Sequence, residues 1–430
     1  MKNLKHYDAQ LYYLLEREKL RQNETINLIA SENYAPHHLF YETLVGSNKY
    51  AEGTPGKRYY AGCDIVDKME LLAQERCRAL FKTDYHCNVQ PHAGSQANMA
   101  AYFALLKPGD TILGMSLREG GHLTHGHAIN FSGIWYKSAS YGVDPDTEML
   151  DYDHIEALAH QYRPALLIAG ASAYSRFIDF KRFKAIAQSV GAYLLADIAH
   201  IAGLIASGVH PSPFPYVDVA TSTTHKTLRG PRGGLLLARP DLASAVDRAV
   251  MPGVQGGPFM HVIAEKALAF ELAQQDDFVT YSKQVISNAA LMADCLREHG
   301  YRIVSGGTDN HLFIVDLTDH HITGKEAEDI LASIGITVSR SCIPYDQKQP
   351  WITSGIRLGT PAMTTRGMGH EASRAIVHLI HEVLCYRHDM QRLIFYKDQV
   401  RQLARAYPLT FPYANPEVYS KEDIFLSKNT

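Results

Sequence analysis

The chain is predicted to adopt an α/β fold with a mostly parallel central sheet, because short apolar runs alternate with helical patterns from about residue 65 onward. Several runs are almost continuously apolar, as expected of strands that are buried on both faces. The spacing between most of them leaves room for a helix, the usual connection between parallel strands. The runs lie at 111–115, 165–169, 193–196, 217–220 and 235–238.

The regions on either side of this alternation have a different character. Residues 7–28 show the pattern of a polar, amphipathic helix followed by a short arm. From about residue 280, a long predicted helix precedes a mixture of strands and helices, which predicts a smaller α+β domain. We therefore predict an N-terminal helix and arm over 1–50, a large domain over 51–280 and a small C-terminal domain over 281–430, with a peripheral tail after about 407. In the small domain the predicted strands are 301–304, 311–317, 336–339 and 356–359, and the predicted helices are 280–298, 324–333 and 369–386.

The composition is that of an ordinary globular protein without a nucleic-acid or membrane signal. The 430 residues are 46% hydrophobic and 20% charged, and 42 basic against 45 acidic side chains give a net charge of −3. No stretch approaches the roughly 18 apolar residues of a membrane span, and the first residues show no signal-peptide core. The six cysteines form no C-x-x-C pair, which favours reduced thiols over disulfides or zinc. We expect a cytoplasmic protein with no nucleic-acid partner, no membrane contact and no metal.

The stretch 222–234 is the most informative part of the sequence, because it places Lys226 in a polar, glycine-rich turn between two strand-like runs. Its glycines allow the backbone to approach another group closely. Arg229 and Arg232 indicate an anionic ligand. A lysine amine can form a Schiff base with a carbonyl, which is how enzymes hold pyridoxal phosphate. Lys226 is therefore a candidate for covalent attachment of a cofactor.

Two further motifs supply what a phosphorylated pyridine ring needs. Ala93, Gly94 and Ser95 open a helical pattern, as in phosphate sites at helix N-termini, although a helix start with a glycine for packing is the alternative. No P-loop lysine and no G-x-G-x-x-G accompanies them. Asp197 ends an apolar run and could keep the ring nitrogen protonated, the alternative being a helix N-cap. Because Asp197 and Lys226 would end neighbouring strands, each interpretation strengthens the other.

Two more residues have both a functional and a structural interpretation. His122 lies in a glycine-rich segment with His125 and could stack on a pyridine ring. No acidic or cysteine cluster adjoins the two histidines in the sequence, so a metal site is disfavoured. Arg357 could clamp the carboxylate of an amino acid, or it could form a salt bridge between domains.

The loop 49–60 concentrates three tyrosines around one glutamate. Turn chemistry explains its glycines and its proline, but not the presence of Tyr50, Tyr59 and Tyr60 around Glu52. The cluster is typical of a proton-handling site. The alternative is a solvated loop whose tyrosines pack on a neighbouring surface.

Over residues 7–408, nearly the whole chain, these motifs resemble the serine hydroxymethyltransferase family. The matching segments are 28–33, 48–60, 120–126, 172–175, 197–204, 223–234, 255–262 and 353–367. The resemblance implies a pyridoxal-phosphate enzyme of the aminotransferase-like fold (fold type I), with a seven-stranded large domain that binds the cofactor and a smaller C-terminal domain. It also implies a homodimer, or a pair of dimers, whose active sites are shared across the interface.

The resemblance further implies roles for individual residues. The cofactor residues would be Lys226 (covalent link), Asp197 (ring nitrogen), His122 (ring face), His200 and Ser172 (ring oxygen and its surroundings), Arg232, Gly94, Ser95 and, from the partner subunit, Gly257. The substrate residues would be Ser31, Arg357 and Tyr60. Proton handling would fall to Glu52, Tyr50 and Tyr60 from the partner subunit, and His225 beside the lysine would help to set reaction specificity.

The implied reaction is the interconversion of serine and glycine, with tetrahydrofolate as the one-carbon acceptor that becomes 5,10-methylenetetrahydrofolate. A side aldolase activity on β-hydroxy amino acids is also implied. The folate-binding residues would be Glu52, Leu117, Gly121, Leu123, Ser341, Gln349, Pro350 and Trp351. The chain departs from the family here, because Ser341 replaces an asparagine that contacts the pterin, and 349–351 replaces a Ser-Pro-Phe.

These departures leave two alternatives to the folate-dependent enzyme. A folate-independent aldolase or transaldolase for β-hydroxy amino acids would explain an altered folate loop around an intact lysine site. A catalytically silent regulatory or RNA-binding relative would explain neither the absence of a basic tract nor the retention of Lys226, Asp197, Glu52 and Arg357. Neutral drift of the loop in a folate-dependent enzyme is the interpretation we favour.

Overall fold

A seven-stranded sheet lies at the centre of the larger part of the chain in the computed structural model, which describes residues 4–409 apart from the side chain of His38. Its strands are β1 (His86–Asn88), β2 (Thr111–Met115), β3 (Lys137–Tyr141), β4 (Leu166–Gly170), β5 (Tyr193–Asp197), β6 (Val219–Thr223) and β7 (Gly234–Ala238). The order across the sheet is β1-β7-β6-β5-β4-β2-β3. Strands β2 to β6 pair in parallel, whereas β7 is antiparallel to both of its neighbours. The predicted α/β class and mostly parallel sheet are confirmed.

The two edge strands of this sheet were not predicted, and their sequences show why. Strand β3 reads Lys-Ser-Ala-Ser-Tyr and is exposed at most positions, so it lacks the apolar run that marks a central strand. Strand β1 has only three residues. The other five strands coincide with the predicted runs to within three residues at each end.

Helices cover both faces of the sheet and surround the smaller part of the chain. Within residues 4–409, those of ten or more residues are α1 (Ala9–Glu24), α2 (Asp64–Phe81), α3 (Gly94–Leu105), α4 (Tyr152–Tyr162), α5 (Phe180–Val190), α6 (Met260–Leu272), α7 (Asp276–Glu298), α8 (Gly324–Ser333), α9 (His370–Cys385) and α10 (Met390–Ala406). Shorter helices span Leu4–Tyr7, Phe131–Trp135, Ala202–Ala206, Ala243–Arg248 and Pro361–Thr365. Helix α1 is shorter than the predicted 7–28, because Thr25 is extended and the next two residues join a strand pair.

A second sheet of four antiparallel strands organises the C-terminal part of the chain. Its strands are β8 (Arg302–Ile303), β9 (Leu312–Asp316), β10 (Ser339–Ser341) and β11 (Gly355–Gly359), in the order β8-β9-β11-β10. The N-terminal arm joins this part, because Ile26–Asn27 pairs in parallel with Ile336–Thr337. Apolar side chains of the arm, the sheet and its helices form a hydrophobic cluster of their own. The domain boundaries at residues 50 and 280 stay a prediction.

Arg366 joins the two ends of the described chain. The side chain is buried, with 7% exposed, and its guanidinium donates five hydrogen bonds to backbone carbonyls at 2.5–3.2 Å. The acceptors are the carbonyls of Gln22, Asn23, Thr25, Ala404 and Tyr407. They include carbonyls in the last turns of α1 and α10, where the final carbonyls of a helix lack an N–H donor four residues further on.

We expect Arg366→Leu to lower the free energy of unfolding by about 3 kcal/mol, because five buried or partly buried carbonyls lose the hydrogen bonds that Arg366 donates. The midpoint of urea unfolding, followed by circular dichroism, measures the change. Arg401→Leu is the matched control, since Arg401 forms half-exposed ion pairs with Glu24 and Asp398 and should cost at most about 1 kcal/mol. Equal losses for the two variants would contradict the role assigned to Arg366.

Two further sequence predictions concern the C-terminal tail and membrane-spanning helices. The predicted peripheral tail lies almost wholly beyond residue 409, outside the described residues. None of the helices in residues 4–409 combines the length and the hydropathy that a membrane span requires.

Candidate active site

Lys226 lies in the turn that connects β6 to β7, at the carboxyl end of the parallel strands. The residue is buried, with 9% exposed, and its backbone carbonyl accepts a hydrogen bond from Asn33 Nδ2 at 2.9 Å. Burial lowers the pKa of Lys226 to about 8, although the carboxylate of Asp197 opposes the shift. The neutral amine, which is the nucleophilic form, is therefore available closer to neutral pH than in an ordinary lysine.

Asp197 ends β5, the parallel neighbour of β6, as the sequence predicted. Its Oδ2 accepts hydrogen bonds from Asn98 Nδ2 at 2.9 Å and from His125 Nε2 at 3.0 Å. Burial alone would raise the pKa of Asp197, but the hydrogen bond and charge of His125, with the nearby His122, hold it well below its ordinary value. The structure thus keeps a buried carboxylate ionised beside the lysine turn.

His122 and His125 lie beside Asp197 rather than apart from it. Nitrogen atoms of both rings and a carboxylate oxygen of Asp197 lie within 4.8 Å of one another. The sequence argument considered only neighbours along the chain, and this carboxylate is 72 residues away from His125 in the sequence. Burial lowers the pKa of His122 to about 4, which keeps its ring neutral. Its Nδ1 lies 2.7 Å from Thr124 Oγ1, which fixes the orientation of the ring. The absence of a metal stays a prediction.

Arg357, on β11, reaches the same site from the small sheet. Its Nη1 donates to the carbonyl of Ser172 at 2.6 Å, while its Nε is buried without a hydrogen-bond partner among the described residues. Burial lowers the pKa of Arg357 to about 10. No carboxylate in residues 4–409 forms a salt bridge with it, so the predicted alternative of an interdomain salt bridge is not observed. A buried guanidinium with a free donor is prepared to bind an anion.

His200 contacts a histidine that the sequence analysis did not select. Its Nδ1 lies 3.2 Å from His311 Nε2, and both rings are buried. Burial, with the charges of Lys226 and Arg357, holds the pKa of each well below the ordinary histidine value. The pair is therefore neutral.

The N-terminus of α3 forms a close-packed cradle next to the lysine turn. A Cβ atom on Gly94 would lie 2.7 Å from Thr223 Cγ2, and one on Gly234 would lie 2.4 Å from the carbonyl oxygen of Ala93. No side chain caps the helix at Ala93. Gly94 and Ser95 therefore present first-turn N–H groups that remain available to an anion.

Three other predicted residues lie on segments that border this centre. Arg232 Nη1 lies 2.9 Å from His225 Nε2, and burial followed by the Arg232 charge lowers the pKa of His225 to about 3. The segment that carries Ser31 packs on β11, since the N–H of Gly359 donates to the carbonyl of Leu28 at 2.8 Å.

The predicted proton-handling residues form a second cluster. The rings of Tyr50 and Tyr60 pack edge to face at 5.3 Å. Cβ atoms on Gly256 and Gly257 would lie 3.3 Å from Glu52 Oε1 and 2.9 Å from Tyr50 Cε1. In the described part of the chain, no hydrogen bond, ion pair or ring contact joins this cluster to Lys226. Tyr50 and Tyr60 are 58% and 47% exposed.

The predicted folate residues lie on two separate segments. Leu117 and Leu123 follow β2 and are about 40% exposed, and a Cβ on Gly121 would lie 2.0 Å from the carbonyl oxygen of Met115. Ser341 ends β10, where its hydroxyl donates to the carbonyl of Cys342 at 3.1 Å. The others, Gln349, Pro350 and Trp351, lie in the loop before β11, and Trp351 is 63% exposed.

Sequence reasoning missed Asn98, His125 and His311 as members of the site. Asn98 lies inside the helical pattern that follows Gly94, so its contact with Asp197 leaves no local signal. His125 was noted only as a possible metal ligand. His311 was assigned to a strand, and its contact with His200 links residues 111 positions apart.

A comparison with known protein families agrees with this geometry. The family model described as "Serine hydroxymethyltransferase" matches residues 4–380 of the 430-residue chain. The match covers both sheets and every predicted site residue.

Proposed function

The chain belongs to the serine hydroxymethyltransferase family, and from this premise we propose that it uses tetrahydrofolate as the one-carbon acceptor when it converts serine to glycine. The family consists of pyridoxal-phosphate-dependent enzymes that interconvert serine and glycine with a folate co-substrate, and this chain is such an enzyme. The proposal concerns the acceptor, the roles of the individual residues and the partner subunit.

The family match supports the folate acceptor, and the buried, unpartnered Nε of Arg357 is the observation that carries the amino-acid substrate. An amino-acid carboxylate would satisfy the unpartnered Nε and would do so beside Lys226 and Asp197. Ser31 would contact the same carboxylate. Because a planar guanidinium binds a carboxylate through two donors, Arg357 fixes the orientation of the substrate as well as its affinity.

The residues around Lys226 fit pyridoxal phosphate. The uncapped N-terminus of α3, with Gly94 and Ser95, suits the phosphate, and the ionised Asp197 suits the ring nitrogen. We assign the covalent link to Lys226 and the remaining cofactor contacts to His122, His200, Ser172 and Arg232. The bound cofactor supplies an electron sink for the negative charge that develops at the substrate Cα.

Individual residues of the chain have separate roles in binding and in proton transfer. Asp197 stabilises a proton on the ring nitrogen, because its carboxylate stays ionised. Lys226 Nζ, with a pKa near 8, can accept or donate a proton at neutral pH. His225, held neutral beside Arg232, positions the lysine turn. Glu52 holds the proton at the substrate hydroxyl.

The second cluster supports a homodimer with shared sites. Tyr50 packs on Tyr60 and Gly257, and Glu52 lies next to Gly256, but within residues 4–409 no hydrogen bond, ion pair or ring contact joins these residues to Lys226. A second copy that brought its cluster to this centre would supply Glu52 and Tyr60 to the substrate and Gly257 to the phosphate. It would also cover the exposed tyrosine rings. A cytoplasmic location completes the proposal.

The folate would lie between Leu117, Gly121 and Leu123 on one side and Ser341, Gln349, Pro350 and Trp351 on the other, with Glu52 of the partner. Ser341 offers a hydroxyl where the family has an amide, so fewer donors face the pterin. We also expect slow cleavage of β-hydroxy amino acids such as allo-threonine without folate.

Turnover of serine by the purified enzyme, with and without tetrahydrofolate, tests the proposal. We expect tetrahydrofolate to accelerate serine cleavage and 5,10-methylenetetrahydrofolate to form in proportion to glycine. Cleavage of allo-threonine should be indifferent to folate and serves as the control. A rate of serine cleavage that is the same with and without tetrahydrofolate would eliminate the folate assignment.

A further inference from the structure

Tyr345 ties the loop between β10 and β11 to the large sheet. Its backbone N–H donates to Glu119 Oε1 at 3.2 Å, and its hydroxyl donates to the carbonyl of Val143 at 2.6 Å. These partners are 226 and 202 residues away in the sequence. Glu119 follows β2 and Val143 follows β3, so one tyrosine bridges the two parts of the chain.

The backbone of Tyr345 is held in a conformation that a tyrosine avoids in isolation. Its φ angle is +56°, in the left-handed region that is rarely adopted by residues other than glycine, asparagine and aspartate. Such a conformation persists where the surrounding contacts over-determine it. The hydrogen bonds to Glu119 and Val143 are two such contacts, and they fix the side chain and the backbone together.

Asp346, the next residue after Tyr345, connects the rest of the loop to this anchor through hydrogen bonds. Its carboxylate is buried and accepts hydrogen bonds from the backbone N–H of Ser354 at 2.8 Å, the hydroxyl of Ser354 at 2.7 Å and the N–H of Lys348 at 2.9 Å. The N–H groups of Ile352 and Thr353 both donate to the carbonyl of residue 349. The loop is therefore one hydrogen-bonded unit, and its anchor sets its position.

The interface beneath this anchor is closely packed. The cavity between the two segments, lined by Glu119, Val143, Cys342 and Pro344 among others, has a volume of about 10 Å³. That volume admits about one water molecule. The loop is therefore seated on the segment that follows β2 and is not held at a distance from it.

The two segments joined in this way are the two sides of the site assigned to folate. Leu117 and Gly121 flank Glu119, and Ser341 and residues 349–351 flank Tyr345. We propose that Glu119 and Tyr345 form a latch, defined by these two residues, that sets the affinity for the one-carbon acceptor by holding both sides of its site together. The inference rests on the proposed function, because the ligand is tetrahydrofolate or a related pterin.

Tyr345→Phe and Glu119→Ala in the holoenzyme test the latch. Each variant should raise the KM for tetrahydrofolate by roughly tenfold, the equivalent of one lost hydrogen bond, while kcat stays within about twofold. The Kd for glycine, read from the cofactor's absorbance without folate, should not change. Glu119→Gln retains a carbonyl for the N–H of Tyr345 and should behave as the wild type. Tyr193→Phe, at the opposite end of β5, is the matched control.

Fluorescence quenching of Trp351 measures the solvent accessibility of the loop in the absence of folate. The chain has two tryptophans, so a Trp135→Phe background isolates Trp351, and acrylamide should quench it more strongly in the latch variants. An unchanged KM together with unchanged quenching would overturn the latch. A further outcome separates the two proposals. If tetrahydrofolate does not change the wild-type rate of serine cleavage but acrylamide quenching rises in the variants, Glu119 and Tyr345 anchor the loop. Their role in acceptor binding is then overturned together with the folate assignment.

Discussion

Lys226→Arg should lower kcat for serine cleavage by about 10²- to 10⁴-fold, the range for loss of a positioned acid–base group, or by more if covalent attachment is also lost. A guanidinium stays protonated at neutral pH, so it can neither accept a proton nor bond to a carbonyl. The amine of Lys226 has the opposite property, because burial lowers its pKa to about 8. Stopped-flow and steady-state rates with serine measure the loss.

Borohydride reduction separates a chemical role of Lys226 from a structural one. Reduction of the wild type should fix the cofactor irreversibly on the peptide that contains Lys226, as mass spectrometry of a digest would show, whereas the variant should release it. Lys184→Arg is the control, since Lys184 is a half-buried lysine that pairs with Asp218 and should retain full activity. Cofactor fixed on a different lysine would contradict the assignment.

Arg357→Leu should reduce kcat/KM for serine by about 10²- to 10³-fold, because the substrate carboxylate loses a buried, charged partner. Most of the loss should be in KM. Stability should not fall, since leucine replaces a buried cation that has no carboxylate partner in residues 4–409. Binding of glycine and of methylamine, which lacks the carboxylate, provides a direct test.

The wild type should prefer glycine to methylamine strongly, and Arg357→Leu should remove most of that preference. Arg239→Leu is the matched control, because the half-exposed Arg239 side chain forms ion pairs with the buried Asp218 and the exposed Asp241, and the substitution should leave the preference intact. If Arg357→Leu retained the wild-type preference, another residue would hold the carboxylate.

Local sequence patterns were sufficient to predict the central strands and the placement of Asp197 and Lys226 at the ends of neighbouring strands. An apolar run identifies a strand, and parallel strands place their carboxyl ends at one edge of the sheet. A polar residue that follows such a run, as Asp197 and Lys226 do, could therefore be placed at that edge of the sheet. The edge strand β3 was missed because an exposed strand needs no apolar run.

Contacts that depend on the tertiary fold could not be predicted in this way. The carboxylate of Asp197 meets Asn98 and His125 from 99 and 72 residues away, only once the fold brings β5 together with α3 and the segment after β2. The hydrogen bonds of Tyr345 are equally invisible, because an exposed tyrosine in a loop carries no periodic signal. The residues of the second cluster could be named from the loop 49–60, but the proposed use of them by a partner subunit would have no signature within one chain.

The strand pair formed by the N-terminal arm can form only late in synthesis of the chain. Asn27 and Thr337 are 310 residues apart, so at about 5–20 residues per second the ribosome needs roughly 15–60 s between them. Throughout that interval, Ile26 and Leu28, fully buried in the finished protein, lack their backbone hydrogen-bond partners at 335–337. The large sheet can therefore form before the arm gains its strand partner. A nascent chain stalled before residue 336 therefore exposes an apolar arm that lacks its strand partner to chaperones and proteases.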